Sequence, residues 1–230
     1  MKRIAIVAAL PGELKPLVRD WHHERRNGVD LWRTTQPQAE WIAACAGMGQ
    51  DAATRAFAEI EKDGPIDQAI SIGWAGSIRS DALVGKAYRA TGVFDLKTGE
   101  RFFEPGWQSS DMTLVTSPRV VAGVNQKQAL AIEYYASLVD MEAAAIARLA
   151  AMRGIPFTCI KGVSDGLEGN LPDFNRFISP QGKLVLSRLL FFVLPRPWYW
   201  PALIRMGENS KKASQAIREL LLEYLAEQTL

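Results

Sequence analysis

Three long apolar runs constrain this chain more than anything else in it: "RIAIVAAL" (3–10), "IDQAISIGWAGSI" (66–78) and "IPFTCIKGVSDG" (155–166). A strand with one wet face alternates apolar and polar residues. A strand covered on both faces does not, and these runs do not. Helical segments lie between such runs, among them "QDAATRAFAEIEKDG" (50–64) and "MEAAAIARLAAMRG" (141–154). Strands alternating with helices predict an α/β fold: a three-layer sandwich around a central mixed, largely parallel sheet. A chain of 230 residues, 48% apolar and 23% charged, fits one domain over 1–230 with a core of its own.

The remaining segments fill in that frame. "VDLWRTT" and "AEWIAACAG" read as an antiparallel pair, and Gly47-Met48-Gly49 turns the chain into the helix after it. The run at 66–78 is expected to end its strand at Gly73. "ALVGKAYRATGVFDL" reads as one strand and "GERFFEPGWQSSD" as a polar and aromatic loop. "MTLVTS" and "SLVD" are strands, and "PRVVAGVNQKQALAIEYYA" is mostly helix with Pro118 near its start. Residues 1–180 form the core, and 181–230 a C-terminal amphipathic helical extension. Its apolar run 184–206 is broken by Arg188, Pro195, Arg196, Pro197 and Arg205, too soon for a membrane span. It predicts two amphipathic helices joined at Pro195–Pro197, followed by a third over "NSKKASQAIRELLLEYLAEQ".

Several function classes drop out. A net charge of +2, with acids and bases scattered, argues against a nucleic-acid binder. Cys45 and Cys159 sit in apolar runs and read as reduced thiols of an intracellular protein. Neither has a ligand-spaced partner, so no metal site is expected. The N-terminus is too soon interrupted by Pro11 and Glu13 to read as a signal peptide.

Glu13, Glu142 and Asp165 each follow a strand-like run closely. In sheets of this kind, sites gather at the carboxyl ends of strands, so three distant segments can share one cleft. Two or three carboxyls suit cleavage of an N-glycosidic bond. One protonates the leaving base, one orients the sugar hydroxyls and steadies its developing cation, and one activates water. Spacing alone leaves the bland alternatives open. Glu13 is also an ordinary first-turn acid, Asp140 a helix cap and Asp165 an Asx-turn residue.

The motifs are more specific than the spacing. "IAIVAALPGELKPL", "AGMGQDAATRA", "SIGWAGSI", "LVDMEAAAIARLA" and "IKGVSDGLEGNLPDF" occur here in order over residues 1 to about 180. In this they resemble the purine nucleoside phosphorylase family, most closely its methylthioadenosine/S-adenosylhomocysteine nucleosidase branch. The resemblance implies Glu13 as the acid that activates water, Glu142 as a ribose ligand and Met141 as a wall against the sugar. It implies Asp165, with Ser164 beside it, as the acid that supports protonation of the purine at N7. Val120 and Val121 fall near the place where the family's backbone meets the base edge, without the usual stacking aromatic. Gly47 and Gly49 serve only a tight turn and close packing.

Phosphorylases of the family carry an Arg and a Ser for phosphate where this chain has Ser71 and Trp74, and Glu13 would repel the anion. The expectation is therefore hydrolysis rather than phosphorolysis, with Trp74 reshaping the ribose side and Arg79 within reach of an anion. The tail "LPDF…GKLVLSRLL…PRPWYWPALIRM" resembles the hopanoid-associated branch, which implies release of adenine from a lipid-linked adenosine such as adenosylhopane. Residues 184–206 would then touch a membrane, and Phe102, Phe103 and Trp107 could widen an apolar mouth. The resemblance further implies a cytoplasmic homodimer, peripheral on the inner face of the membrane, with no cofactor. The other readings are an ordinary methylthioadenosine/S-adenosylhomocysteine nucleosidase, a phosphorolytic enzyme, and a non-catalytic nucleoside-binding or membrane-associated protein.

Overall fold

Strands apolar on both faces need cover on both sides, and the fold supplies it. In the computed structural model, which describes residues 1–108, 110–167 and 172–228, the three long runs become β1 (Lys2–Ala8), β5 (Gln68–Ser77) and β11 (Phe157–Asp165). They lie side by side and parallel, β5 in the middle, with Ile6, Ile70 and Ile160 wholly buried. Beyond β1 the sheet continues through parallel β4 (Ala39–Cys45) into antiparallel β3 (Val29–Thr35) and β2 (His22–Arg26). Past Ser71, where β1 ends its pairing, β5 takes a second partner while β11 stays alongside as far as Gly76. Its end, Gly76–Ser77, pairs antiparallel with β10 (Leu138–Asp140), which leads to β9 (Thr113–Thr116), β7 (Gly92–Asp95) and β8 (Arg101–Phe103). β6 (Ala87–Ala90) pairs antiparallel with β11, completing an eleven-stranded mixed sheet.

One face is covered by α2 (Gln50–Glu61) and α4 (Ala143–Arg153), whose Ala53, Phe57 and Ile146 are fully buried. Against the other lies α6 (Trp200–Glu227), which adds Ile217, Leu221 and Leu225 to the cluster around Ile6 and Ile70. Gly162 on β11 makes that contact possible: a Cβ there would stand 2.8 Å from the carbonyl oxygen of Ala213.

Five boundaries differ from the sequence reading. β5 does not stop at Gly73; the glycine sits within it at φ +144°, and the strand runs four residues further. "ALVGKAYRATGVFDL" divides into β6 and β7, and the aromatic loop contains β8. α3 (Val124–Tyr134) starts after Gly123 rather than near Pro118, because the Asn175 side chain binds the Val120 backbone and holds that stretch out of the helix. The C-terminal end has α5 (Leu186–Val193), a 3-10 turn over Pro197–Tyr199, and then a single 28-residue α6 where two helices were expected.

Candidate active site

The carboxyl ends of β1, β5, β10 and β11 surround a cavity of about 200 Å³. Glu13, Glu142 and Asp165 all line it, and so do Met141, Ser164, Trp74, Val120 and Val121.

Glu13 arrives through α1 (Pro11–Leu14), the single turn after β1. It is a first-turn acid, as the bland reading has it, but it is buried rather than solvated, with 4% exposure. Its Oε2 accepts the N–H groups of Ala9 and Leu10, each at 2.8 Å, and its Oε1 accepts that of Trp74, also at 2.8 Å. Burial raises the carboxyl above its ordinary value, against these N–H bonds and the nearby Lys161 charge. Gly73 makes room for it: a Cβ there would lie 3.0 Å from Oε1.

Glu142 is the last residue before α4, and its Oε1 accepts the Gly49 N–H at 2.6 Å. Gly49 therefore does more than turn the chain; it holds this carboxyl. Burial, then the neighbouring Asp140, push Glu142 up to about 8, while Lys161 works the other way. Asp140 accepts the Ala143 N–H at 2.9 Å, a helix-starting bond, and the Thr116 hydroxyl at 2.7 Å. It also pairs with the fully buried Lys161 at 3.0 Å. Burial works to discharge the Lys161 ammonium, and Asp140 overcomes it, leaving the lysine above its ordinary value.

Asp165 ends β11. Its Oδ1 accepts the Ser164 hydroxyl at 3.1 Å, and its Oδ2 accepts Lys127 Nζ from α3 at 2.6 Å. Gly76 provides its slot, since a Cβ there would stand 3.2 Å from Oδ2. The Glu168–Leu171 part of the motif that follows lies outside the described residues.

Other expectations need correction. Val120 lines the cavity, but Asn175 takes its N–H at 2.8 Å and donates to its C=O at 3.0 Å, so only the second lone pair of that carbonyl is left for a base edge. Arg119 is the one basic side chain of the lining among the described residues. Arg79 does not reach the cavity and pairs with Asp81 at 3.0 Å. Ser71 also lies off the cavity, as an acceptor for Lys161 Nζ at 3.0 Å. Phe102, Phe103 and Trp107 are absent from the lining; Phe103 packs on Phe94 and Trp107 instead. The Trp74 indole donates to Ser214 of α6 at 2.8 Å, which ties the C-terminal helix to the site. Lys127 and Lys161 went unnoticed in the sequence because a lysine in a polar helix, or inside a strand, gives no local sign of an acid partner far along the chain. Among the described residues no three His, Cys, Asp or Glu side chains gather as metal ligands.

The comparisons give this fold a family. The Phosphorylase superfamily profile matches residues 3–110 and 104–190, so the chain belongs to that superfamily. No curated protein sequence matches it significantly. Among solved structures it is similar to the 5′-methylthioadenosine/S-adenosyl homocysteine nucleosidase of Helicobacter pylori, at 17% identity, 98% coverage of both chains and a TM-score of 0.71. Futalosine hydrolase of the same organism gives 16% identity, 98% coverage of both chains and 0.71. The S-adenosylhomocysteine nucleosidase of Streptococcus pyogenes gives 17% identity, coverage of 97% of this chain and 96% of that one, and 0.70. These likenesses establish a shared fold.

Proposed function

We propose that this chain hydrolyses the N-glycosidic bond of a 5′-substituted adenosine and releases adenine. The observation that carries the proposal is the meeting of Glu13, Glu142 and Asp165 in one cavity. Glu142 and Met141 hold the ribose. Glu13, aimed by its N–H bonds and made more basic by burial, takes the proton of the attacking water. Asp165 and Ser164 serve the base as it leaves with the electron pair of the C1′–N9 bond. Water is favoured over phosphate because Ser71 stands where phosphorylases carry their arginine, and the cation beside it, Lys161, is sealed against Asp140 and Ser71. Arg119 alone favours phosphorolysis as a second reading. The test is adenine release in phosphate-free buffer; a strict need for phosphate overturns hydrolysis.

The 5′ substituent is read as a lipid, as in adenosylhopane, rather than the methylthio group of the nucleosidase alternative. Leu184 and Met206 give the cavity an apolar flank. Beyond it Leu186, Leu190, Phe191, Leu194, Trp198 and Ile204 are all more than half exposed, with Arg188 and Arg205 among them. Exposed apolar side chains in this number suit a peripheral contact with the inner face of a membrane, or the interface of a homodimer. No described helix is long and apolar enough to cross a membrane. Liposome co-sedimentation lost on Leu190→Glu with Phe191→Glu supports the membrane reading. A dimer broken by the same pair, with no lipid binding at any stage, replaces it. A wild type that binds adenosines without cleaving them would leave only a non-catalytic binder.

A further inference from the structure

We propose that Lys127 supplies the proton that Asp165 hands to the departing base, an inference that rests on the hydrolase reading above. α3 buries one residue fully, and that residue is Lys127, at 2% exposure between exposed Gln126 and Gln128. A helix docked for packing alone would turn an apolar side chain inward, and a buried ammonium is tolerated only with partners. Its partners are Asp165 Oδ2 and the carbonyl oxygen of Gly166, each at 2.6 Å. Asp165 faces the cavity with its side chain 25% exposed, and Lys127 sits behind it, outside the lining. The order from the protein outward is ammonium, carboxylate, cavity.

This order resolves a difficulty. Both Asp165 oxygens already accept, Oδ2 from the Lys127 ammonium and Oδ1 from Ser164, so the proton that reaches the base is drawn through the carboxyl from Lys127. As the C1′–N9 bond breaks and its electrons pass to the purine, N7 gains basicity. Lys127 Nζ gives a proton to Asp165 Oδ2 as Asp165 gives one to N7, so the carboxyl is unchanged overall and Lys127 is left neutral. Water adds to C1′ and loses a proton to Glu13, and exchange with solvent recharges Lys127 and discharges Glu13. Lys127 is thus a positioning residue that reloads Asp165 without touching the substrate.

The experiment compares two leaving groups in wild type, Lys127→Gln and Lys127→Arg. Adenine needs a proton to leave, whereas 4-nitrophenolate leaves as a stable anion. Gln keeps hydrogen-bond donors for Asp165 and Gly166 but has no acidic proton; Arg keeps the charge but does not give up its proton. Adenine release from methylthioadenosine should fall about 10²-fold in both variants. Release from 4-nitrophenyl riboside should stay within about threefold of wild type, which also shows that the variants are folded. Equal losses on both substrates, or recovery of adenine release by Arg, overturn the proton-supply role and leave the hydrolase reading intact. A wild type that releases neither group overturns the hydrolase reading, and this proposal with it.

Discussion

The two ends of the cavity hold their carboxyls in opposite ways. At the sugar end Glu13 and Glu142 are gripped by backbone N–H groups, and burial pushes both upward. At the base end Asp165 is more exposed and is held by a lysine ammonium and a serine hydroxyl. Residue type therefore does not set the role. Desolvation makes a carboxyl keep or seek a proton, whereas an ammonium 2.6 Å away sets a proton donor behind the carboxyl. One cavity can then take a proton at one end and deliver one at the other.

The sharpest way to break this contrast is Glu13→Gln. It removes the base and sets an amide NH2 against the N–H groups that now point at the carboxylate. Adenine release should fall about 10³-fold, measured at saturating methylthioadenosine. Asp165→Asn should cost about 10²-fold on the same assay, and less with 4-nitrophenyl riboside. A Glu13→Gln enzyme within tenfold of wild type would mean that water needs no base there.

Sequence reading found the acids and missed what holds them. Glu13, Glu142 and Asp165 were legible because each follows a continuous apolar strand, and strand ends converge in such a sheet. The continuation of β5 past Gly73 to meet both β11 and β10 was not, since a glycine in an apolar run reads equally as an end or as an interior residue. Lys127 was illegible for a different reason: its meaning depends on Asp165, 38 positions away. The C-terminal helices were misjudged at Asn209-Ser210, where polar residues that look like a break lie inside α6.

Two glycines of β5 compare the ends next. Gly73→Ala places a Cβ about 3.0 Å from Glu13 Oε1 at a φ of +144°, where an L side chain is strained. It should lower stability by about 1–3 kcal/mol, read as a shift in the urea midpoint, and displace Glu13 as well. Gly76→Ala meets Asp165 Oδ2 and Val139 Cγ1 at 3.2 Å without that backbone penalty. Its effect should fall mainly on adenine release, by about tenfold. A larger stability loss at Gly76 than at Gly73 would reverse the assignment of which slot is tighter.

The pH dependence follows from Glu142. Its ordinary value is 4.5 and its folded value about 8, so between these the folded chain binds more protons than the unfolded one. The stability it contributes is full below 4.5 and is lost as pH rises through 8. Urea midpoints measured from pH 5 to 8 should therefore drift down less in Glu142→Gln than in wild type. An unchanged drift would assign the slope to other groups.

The smallest effect is expected where the site meets the C-terminal helix. Trp74→Phe keeps an aromatic ring in the cavity wall and removes the indole donor to Ser214. Ser214 still donates to the Gly12 carbonyl at 3.2 Å, so no buried hydroxyl is stranded. The bond from Trp74 to Glu13 is a backbone one and survives the change. Stability should drop by about 1 kcal/mol, the usual worth of one hydrogen bond. Turnover should remain within about threefold, because nothing that orients Glu13 has moved. A turnover loss near that of Glu13→Gln would instead show that α6 sets the position of the α1 turn through Ser214 and Gly12. The sugar end would then depend on a tertiary tie across the chain, as the base end does through Lys127, and the contrast between backbone grip and side-chain grip would fail.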